Sequence, residues 1–311
     1  MFKALLKKYL TVFILTFVTY TFLNWFLSTR FDTGINENYL NFWIPALVCA
    51  VITYIYLRPL VKELNYTEKG ADFLLWFIIP FSMWTPIAFS QGYFKDISYG
   101  VVTIDRPSDV FKHPSERFFK IKAFTVEPDD YFIIREKHTS GKNGTTLNVS
   151  NYYIVPMHDD TIAKNSDTVT TIGYGVCFTT SMHNGFFSKK EQEPKIEDFN
   201  EKSAKEYDDY DFYNADYFEK ISNTDEATYF TEAADRNSSF DHSRKPTIFV
   251  RKSGTISDLY ENGKKMFIYS ILISLGIGLV SMFLVNLFND RSPAANKSIA
   301  ASRARRKTNQ L

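Results

Sequence analysis

Four runs of the chain are apolar and uncharged, and a long polar interval, Tyr93 to Gly263, separates the third from the fourth. The first run, Tyr9–Ser28, holds roughly 20 residues and as a helix would span about 30 Å, the thickness of bilayer hydrocarbon. Its apolar part is too long for a signal peptide, and large aromatics stand where a small-residue cleavage site would lie. It therefore reads as an uncleaved anchor, with Trp25 and Phe26 at the far interface. The second run is Leu40–Leu57, ended by Arg58 and Pro59. The third, Phe73–Gln91, contains Pro80 and Pro86, which bend a helix and leave carbonyls that Ser82, Thr85 or a neighbouring helix would satisfy. A packed, kinked helix is the plain reading of those prolines, and a hinge or gate is the functional one. The fourth run, Met266–Phe288, places Ser270, Ser274 and Gly278 on one stripe, with Gly276 and Ser281 close by. Small residues let two helix backbones approach. Packing within the same bundle is the plain use of the stripe, and a homodimer through Ser270, Ser274 and Gly278 is the alternative.

Within the polar interval the period shortens. Arg117–Thr125 alternates Phe119, Ile121 and Ala123 with Lys120 and Lys122, the pattern of a half-buried strand. Tyr131–Glu136 and Thr145–Val155 predict two more strands, joined as a hairpin by the turn set Ser140–Gly144. Thr168–Thr180 is β-prone, and its Gly173 and Gly175 mark a bulge or a close approach. Helices are predicted over Ile196–Tyr210 and Asp225–Asp235, then a short strand over Thr247–Val250, with Ile256–Gly263 leading into the fourth apolar run. Strands first and helices later predict an α+β domain. The expected organisation is a three-span region over residues 1–92, a mixed α+β domain over 93–263, a fourth transmembrane helix over 264–288 and a disordered basic tail over 289–311.

Charge orients this arrangement. The chain's net charge is +1, but the polar interval holds about 21 Lys and Arg against about 29 Asp and Glu, and the remainder about 15 against about 6. The basic remainder flanks apolar runs and suits anionic lipid headgroups. The acidic interval argues against a nucleic-acid partner, which needs a basic face. With the N-terminus inside, Lys3, Lys7, Lys8, Arg58, Lys62, Lys69, Arg291, Lys297 and the Arg303–Lys307 cluster are all cytoplasmic, as the positive-inside rule requires. The expectation is a multi-pass protein of the cell (inner) membrane, both termini cytoplasmic and residues 93–263 outside.

The chemistry-bearing residues form no established motif. The chain has two cysteines, Cys49 in an apolar run and Cys177 in the polar domain, so a disulfide between them is not expected. Cys177 and His183 share a strand face by parity and are the one candidate thiol pair, although nothing supplies an orienting third group. His158-Asp159-Asp160 is a weak metal candidate, better read as a solvated loop. Asp208, Asp209, Asp211 and Asp216 fail as a calcium loop, because Asn214 and Lys220 occupy the positions that need Gly and Glu. Their plain reading is an exposed helix end, and the alternative is an aromatic-acidic docking patch. The apolar runs contain no ionisable Asp, Glu, Lys, Arg or His, which disfavours an ion-coupled transporter. Asn143, Asn148, Asn237 and Asn65 begin Asn-x-Ser/Thr sequons. No catalytic, cofactor-binding or metal-ligating residue is assigned.

The order of parts resembles the non-catalytic N-terminal region found ahead of the core in some bacterial rhomboid-family intramembrane serine proteases. The residues that carry this are LKKYLTVFILTFVTYTFLNW, the WIP of the second run, NYYIVPMHD, IEDFNEKSAKEYDDYDF, FEKISNTDEATYFTEAA and YSILISLGIGLVSMFL. The protease core itself, with its Gly-x-Ser-Gly nucleophile, has no counterpart here. Ser140-Gly141 and Ser253-Gly254 lack the preceding Gly, so no catalytic residue carries over. The expected function is presentation of a non-catalytic interaction or regulatory domain at a membrane, with a second membrane protein as partner. The alternatives are an accessory subunit of a membrane protease assembly, a degenerate thiol hydrolase using Cys177 and His183, and a small-ligand sensor.

Overall fold

The structure, a computed structural model, describes residues 2–31, 34–59, 73–159, 169–184 and 189–290. The chain divides into two compact units: Met1–Ser98 with Ser257–Leu311, and Tyr99–Ile256.

The first unit is helical. It comprises α1 (Phe2–Arg30), α2 (Ile44–Ile52) between π-helical turns at Tyr39–Trp43 and Thr53–Leu57, α3 (Ile79–Ser98) after a π turn at Leu74–Ile78, and α6, which runs unbroken from Ile256 to Asp290. Among the described residues three helices are long and apolar enough to cross a membrane: Leu6–Thr29, Tyr39–Leu57 and Ile256–Leu284. The run expected as the third span, Phe73–Gln91, is helical, through the π turn and α3, and is not one of those three. Its polar groups face neighbouring helices. The Tyr9 and Ser82 hydroxyls lie 3.0 Å apart, and Asn24 Nδ2 donates to Asn41 Oδ1 at 2.9 Å and to Gln91 Oε1 at 2.8 Å. Satisfying buried polar groups across helices is what an apolar surround demands. Ser82 and Thr85 donate to the carbonyls of Ile79 and Phe81, not to those of Trp76 and Ser82, four residues before each proline.

The small-residue stripe is used inside the unit. Ser270 and Ser274 are buried, and a side chain at Gly278 would run into the ring and hydroxyl of Tyr9. Tyr9 of α1 therefore occupies the stripe at Gly278. The basic loop at Lys62 and Lys69 and the tail over residues 291–311 lie outside the described residues; Asn289 and Asp290 are still helical.

The second unit is α+β, built on one mixed sheet. Its strands are β1 (Val101–Ile104), β2 (Phe118–Ile121), β3 (Thr125–Val126), β4 (Phe132–Ser140), β5 (Thr146–His158), β6 (Ile172–His183), β7 (Tyr217–Ile221) and β8 (Thr247–Lys252). The order is β1-β2-β7-β8-β6-β5, and β5 pairs with both β3 and β4 along its far side. The β1–β2 and β6–β8 pairs are parallel and the others antiparallel. The helices are α4 (Lys189–Asp208) and α5 (Asp225–Asp235), the latter capped by Thr224, whose hydroxyl accepts from Ala227 N.

Strand alternation sends side chains to two cores. On the α4 side, Tyr153, Val155, Met157, Tyr174, Val176, Phe218 and Phe249 pack with Tyr207 and Phe212. On the α5 side, Ile154 and Ile248 pack with Phe230, Ala233, Ala234 and Phe240. Both faces of the middle strands are buried, so single-face alternation is lost there: Phe118 and Phe119 are adjacent and both inside.

Several expectations change. The strand expected over Arg117–Thr125 is two, β2 and β3, because the chain leaves β2 at Lys122 to reach the edge of β5. Strands β1 and β7 have no counterpart among the expected strands, and β7 stands in the middle of the sheet between β2 and β8. Strands and helices therefore interleave, and the expected order of strands before helices does not hold. The hairpin Ser140–Gly144 is present, with Gly141 and Gly144 at φ +80° and +68°. Gly173 and Gly175 are close-approach positions and not bulges, since β6 keeps continuous register with β5 through both.

Candidate functional site

The Cys177–His183 pair does not assemble. Both belong to β6 and are six residues apart, which at the rise of a strand is about 20 Å. Cys177 is partly buried, its Sγ 3.5 Å from Thr179 Oγ1, and both cysteines are free. Burial pushes the Cys177 thiol up, with Glu226 adding to the effect, so the thiolate a nucleophile requires is disfavoured.

The other candidates act as structure. His158 is buried at the end of β5, 3.8 Å from a Glu127 carboxylate oxygen. Asp159 accepts from the backbone N–H and hydroxyl of Ser108, and Asp160 lies outside the described residues. In the acidic cluster, Asp211 accepts from Tyr213 N two residues on, as a turn former does, and Asp216 accepts from Gly254 N far along the chain. Among the described residues no three His, Cys, Asp or Glu side chains gather to hold a metal ion. Of the sequons, Asn237 is buried and donates to the Asp130 carbonyl, which withdraws it from modification.

The structure brings together a different set of groups, on the α5 side of the sheet. Glu219 of β7 is buried and takes Arg117 Nε and a terminal guanidinium nitrogen of Arg117 on Oε1 at 2.6 and 2.5 Å, and Lys252 Nζ on Oε2 at 2.9 Å. Burial alone would raise the Glu219 carboxyl; Arg117 and Lys252 outweigh it and hold the group below the usual carboxylate range. Glu226, in the first turn of α5, goes the other way: burial raises it, Lys252 opposes, and Glu219 adds to the rise. Tyr152 is pushed up to about 12 by burial and then by Cys177. Glu219 and Glu226 thus titrate apart, as an acid–base pair would. However, two cations neutralise Glu219, leaving it no free role as a base.

Beyond this cluster the α5 side opens. A shallow groove of about 330 Å³ runs between β4 and α5, lined by Ile133, Ile134, Arg135, Glu136, Glu232 and Arg236. Ile134 floors it and is buried, whereas Arg135 and Lys137 are exposed. Glu232 is ion-paired with Arg236 one turn along the helix. Tyr229 lies in the field of Glu136, Asp225 and Glu232, which raise its hydroxyl after the larger effect of burial. Beside the groove, β4 is a sheet edge with β5 as its one strand partner among the described residues.

Sequence reasoning finds the β4–β5 hairpin but not that β4 is terminal. That depends on β7 and β8, from far along the chain, filling the other side of the sheet. The Arg117–Glu219–Lys252 cluster has no local signal either, since its members come from β7, β8 and the residue before β2. No family model matches the chain, and no curated protein or solved structure matches it either.

Proposed function

We propose that the chain is a four-span membrane protein whose sheet unit stands outside the cytoplasm and binds another protein at the membrane surface, without catalysis of its own. The observation that carries this is the combination of a sheet unit preceded and followed by apolar helices with an open strand edge and groove on that unit. The distribution of Lys and Arg supports the orientation. The distance between Cys177 and His183 counts against the thiol-hydrolase reading. Phe73–Gln91 as a fourth span is supported by its helical course and its uncharged sequence. The resemblance to the region ahead of a rhomboid core makes a separate membrane protease the first partner to test.

Two measurements test this. Alkaline phosphatase fused near Asn200 should be active and the same enzyme fused at the C-terminus inactive; the reverse result overturns the orientation. Photo-crosslinkers placed over the sheet unit in native membranes should capture one defined membrane protein. Crosslinking no greater than that of a random surface overturns the interaction reading.

A further inference from the structure

The edge of β4 is long and open. It is paired to β5 over all nine residues, Phe132 to Ser140, and has no strand on its outer side among the described residues. Such an edge presents alternate backbone N–H and C=O groups ready to pair. Its side chains divide by parity. Ile134 packs in the α5-side core, so Glu136 shares that side and lines the groove with Glu232 and Arg236. Arg135 and Lys137 point to the opposite side and are exposed. The edge therefore reads basic, acidic, basic, and across the groove Glu232 is held by Arg236, which leaves Glu136 as the acidic position of the edge.

A second copy of the chain fits this edge badly. Two copies of β4 related by a two-fold axis, overlapping along their whole length, centre on Glu136. That register sets Glu136 against Glu136 and Arg135 against Lys137, and like charges directly opposite destabilise a strand pair. The same charges favour a partner strand of the complementary order.

We propose that β4 takes an extended peptide segment of a partner protein by strand addition, and that this segment carries a basic residue flanked by acidic ones. The basic side chain enters the groove beside Glu136, and the acidic ones meet Arg135 and Lys137 on the other side. Main-chain pairing supplies affinity and the alternating charges supply selection. The inference rests on the reading of the sheet unit as an interaction domain and names the surface and partner chemistry of that domain.

The test uses the full chain in detergent micelles and a blocked, fluorescein-labelled peptide, TVDKDVT, whose palindromic order presents the same charges in either strand direction. Fluorescence anisotropy should show saturable binding, about tenfold tighter than for the charge-inverted TVKEKVT. The triple variant Arg135→Glu/Glu136→Lys/Lys137→Glu should reverse that preference. Amide exchange of the unmodified chain should slow within Phe132–Ser140 when TVDKDVT is added, which decides the matter even where the variant fails to fold. Equal affinity for the two peptides, no saturation at millimolar peptide, or protection confined elsewhere overturns the proposal. If the peptide fails while crosslinking still captures a partner through the sheet unit, the β4 edge is refuted and the interaction reading stands. If the peptide binds as described while no partner is captured, the edge chemistry holds and the interaction reading falls.

Discussion

Replacing Gly175 with alanine should loosen the docking of α5 on the sheet. Gly175 lies in β6 between Ile154 of β5 and Val250 of β8, so it has strand neighbours on both sides. A Cβ there would sit 2.8, 2.9 and 3.0 Å from three atoms of the Phe230 ring. That ring cannot swing away. It is fully buried, packs edge-on to Tyr152 with centroids 5.4 Å apart, and anchors α5 together with Ala233 and Ala234. Forcing a methyl into a filled core costs about 1–3 kcal/mol. Alanine returns roughly 0.4–1 kcal/mol by restricting the unfolded chain. The net expectation is a loss of about 1–2 kcal/mol, which in a unit of this size lowers the melting temperature by about 2–8 °C. The assay is amide exchange of the full chain in micelles, read separately over β6 and α5, alongside a thermal melt. Gly175→Ala should speed exchange in both elements. Phe230→Leu should be destabilising alone, yet the two changes together should cost less than their sum by about 0.5 kcal/mol or more, since the smaller side chain makes room for the methyl. Strict additivity, or a Gly175→Ala protein as stable as the unaltered one, would show that the glycine is not there to admit the ring.

The ionic cluster makes a prediction about pH. The Glu219 carboxyl is lower folded than unfolded, so its contribution is present above the unfolded value and is lost as pH falls through the folded one. Glu226 is higher folded, so its contribution is present below the unfolded value and is lost as pH rises through the folded one. Glu219→Gln should cost about 2–3 kcal/mol in chemical denaturation at neutral pH by leaving Arg117 and Lys252 uncompensated; Glu226→Gln should stabilise at neutral pH and flatten the profile just above the ordinary glutamate range. In the helical unit, Asn24→Leu removes the donor shared by Asn41 and Gln91 and should lower stability in micelles by about 1 kcal/mol, seen as a lower melting temperature. Gly278→Val should expel the Tyr9 hydroxyl from its bond to Ser82 and loosen α1, seen as faster exchange over Phe2–Arg30. Cys177→Ala should leave partner capture unchanged, because its thiol has no proton acceptor at His183; loss of capture without loss of folding would restore a role for the sulfur.

How much of this was legible in the sequence depends on the range over which each signal is set. The apolar runs are local statements about solvent, so α1, α2 and α6 appear from residue types alone. The β4–β5 hairpin is equally local, since its turn needs Gly141 and Gly144 at positive φ and its strands alternate on either side. α5 is delimited by its own Thr224 cap. β7 is different. Tyr217–Ile221 is short, follows an acidic helix end and contains Glu219 and Lys220, a sequence with the look of a loop. It becomes a central strand only because Arg117, just before β2, and Lys252 from β8 arrive to neutralise Glu219, and neither is near it in the chain. The groove inherits that dependence. β4 is an edge because β7 and β8 complete the sheet on the far side of β6, so the element least visible in the sequence determines which strand is left open. A residue set chosen by motif, such as Cys177 with His183, misses this, since parity places two side chains on one face but gives no measure of the distance along the strand. The charges of Arg135, Glu136 and Lys137 are written plainly in the chain, yet they acquire a meaning only once the edge exists. On an interior strand the same three would be buried errors. On an edge they block self-pairing and define the order of charges a partner must bring.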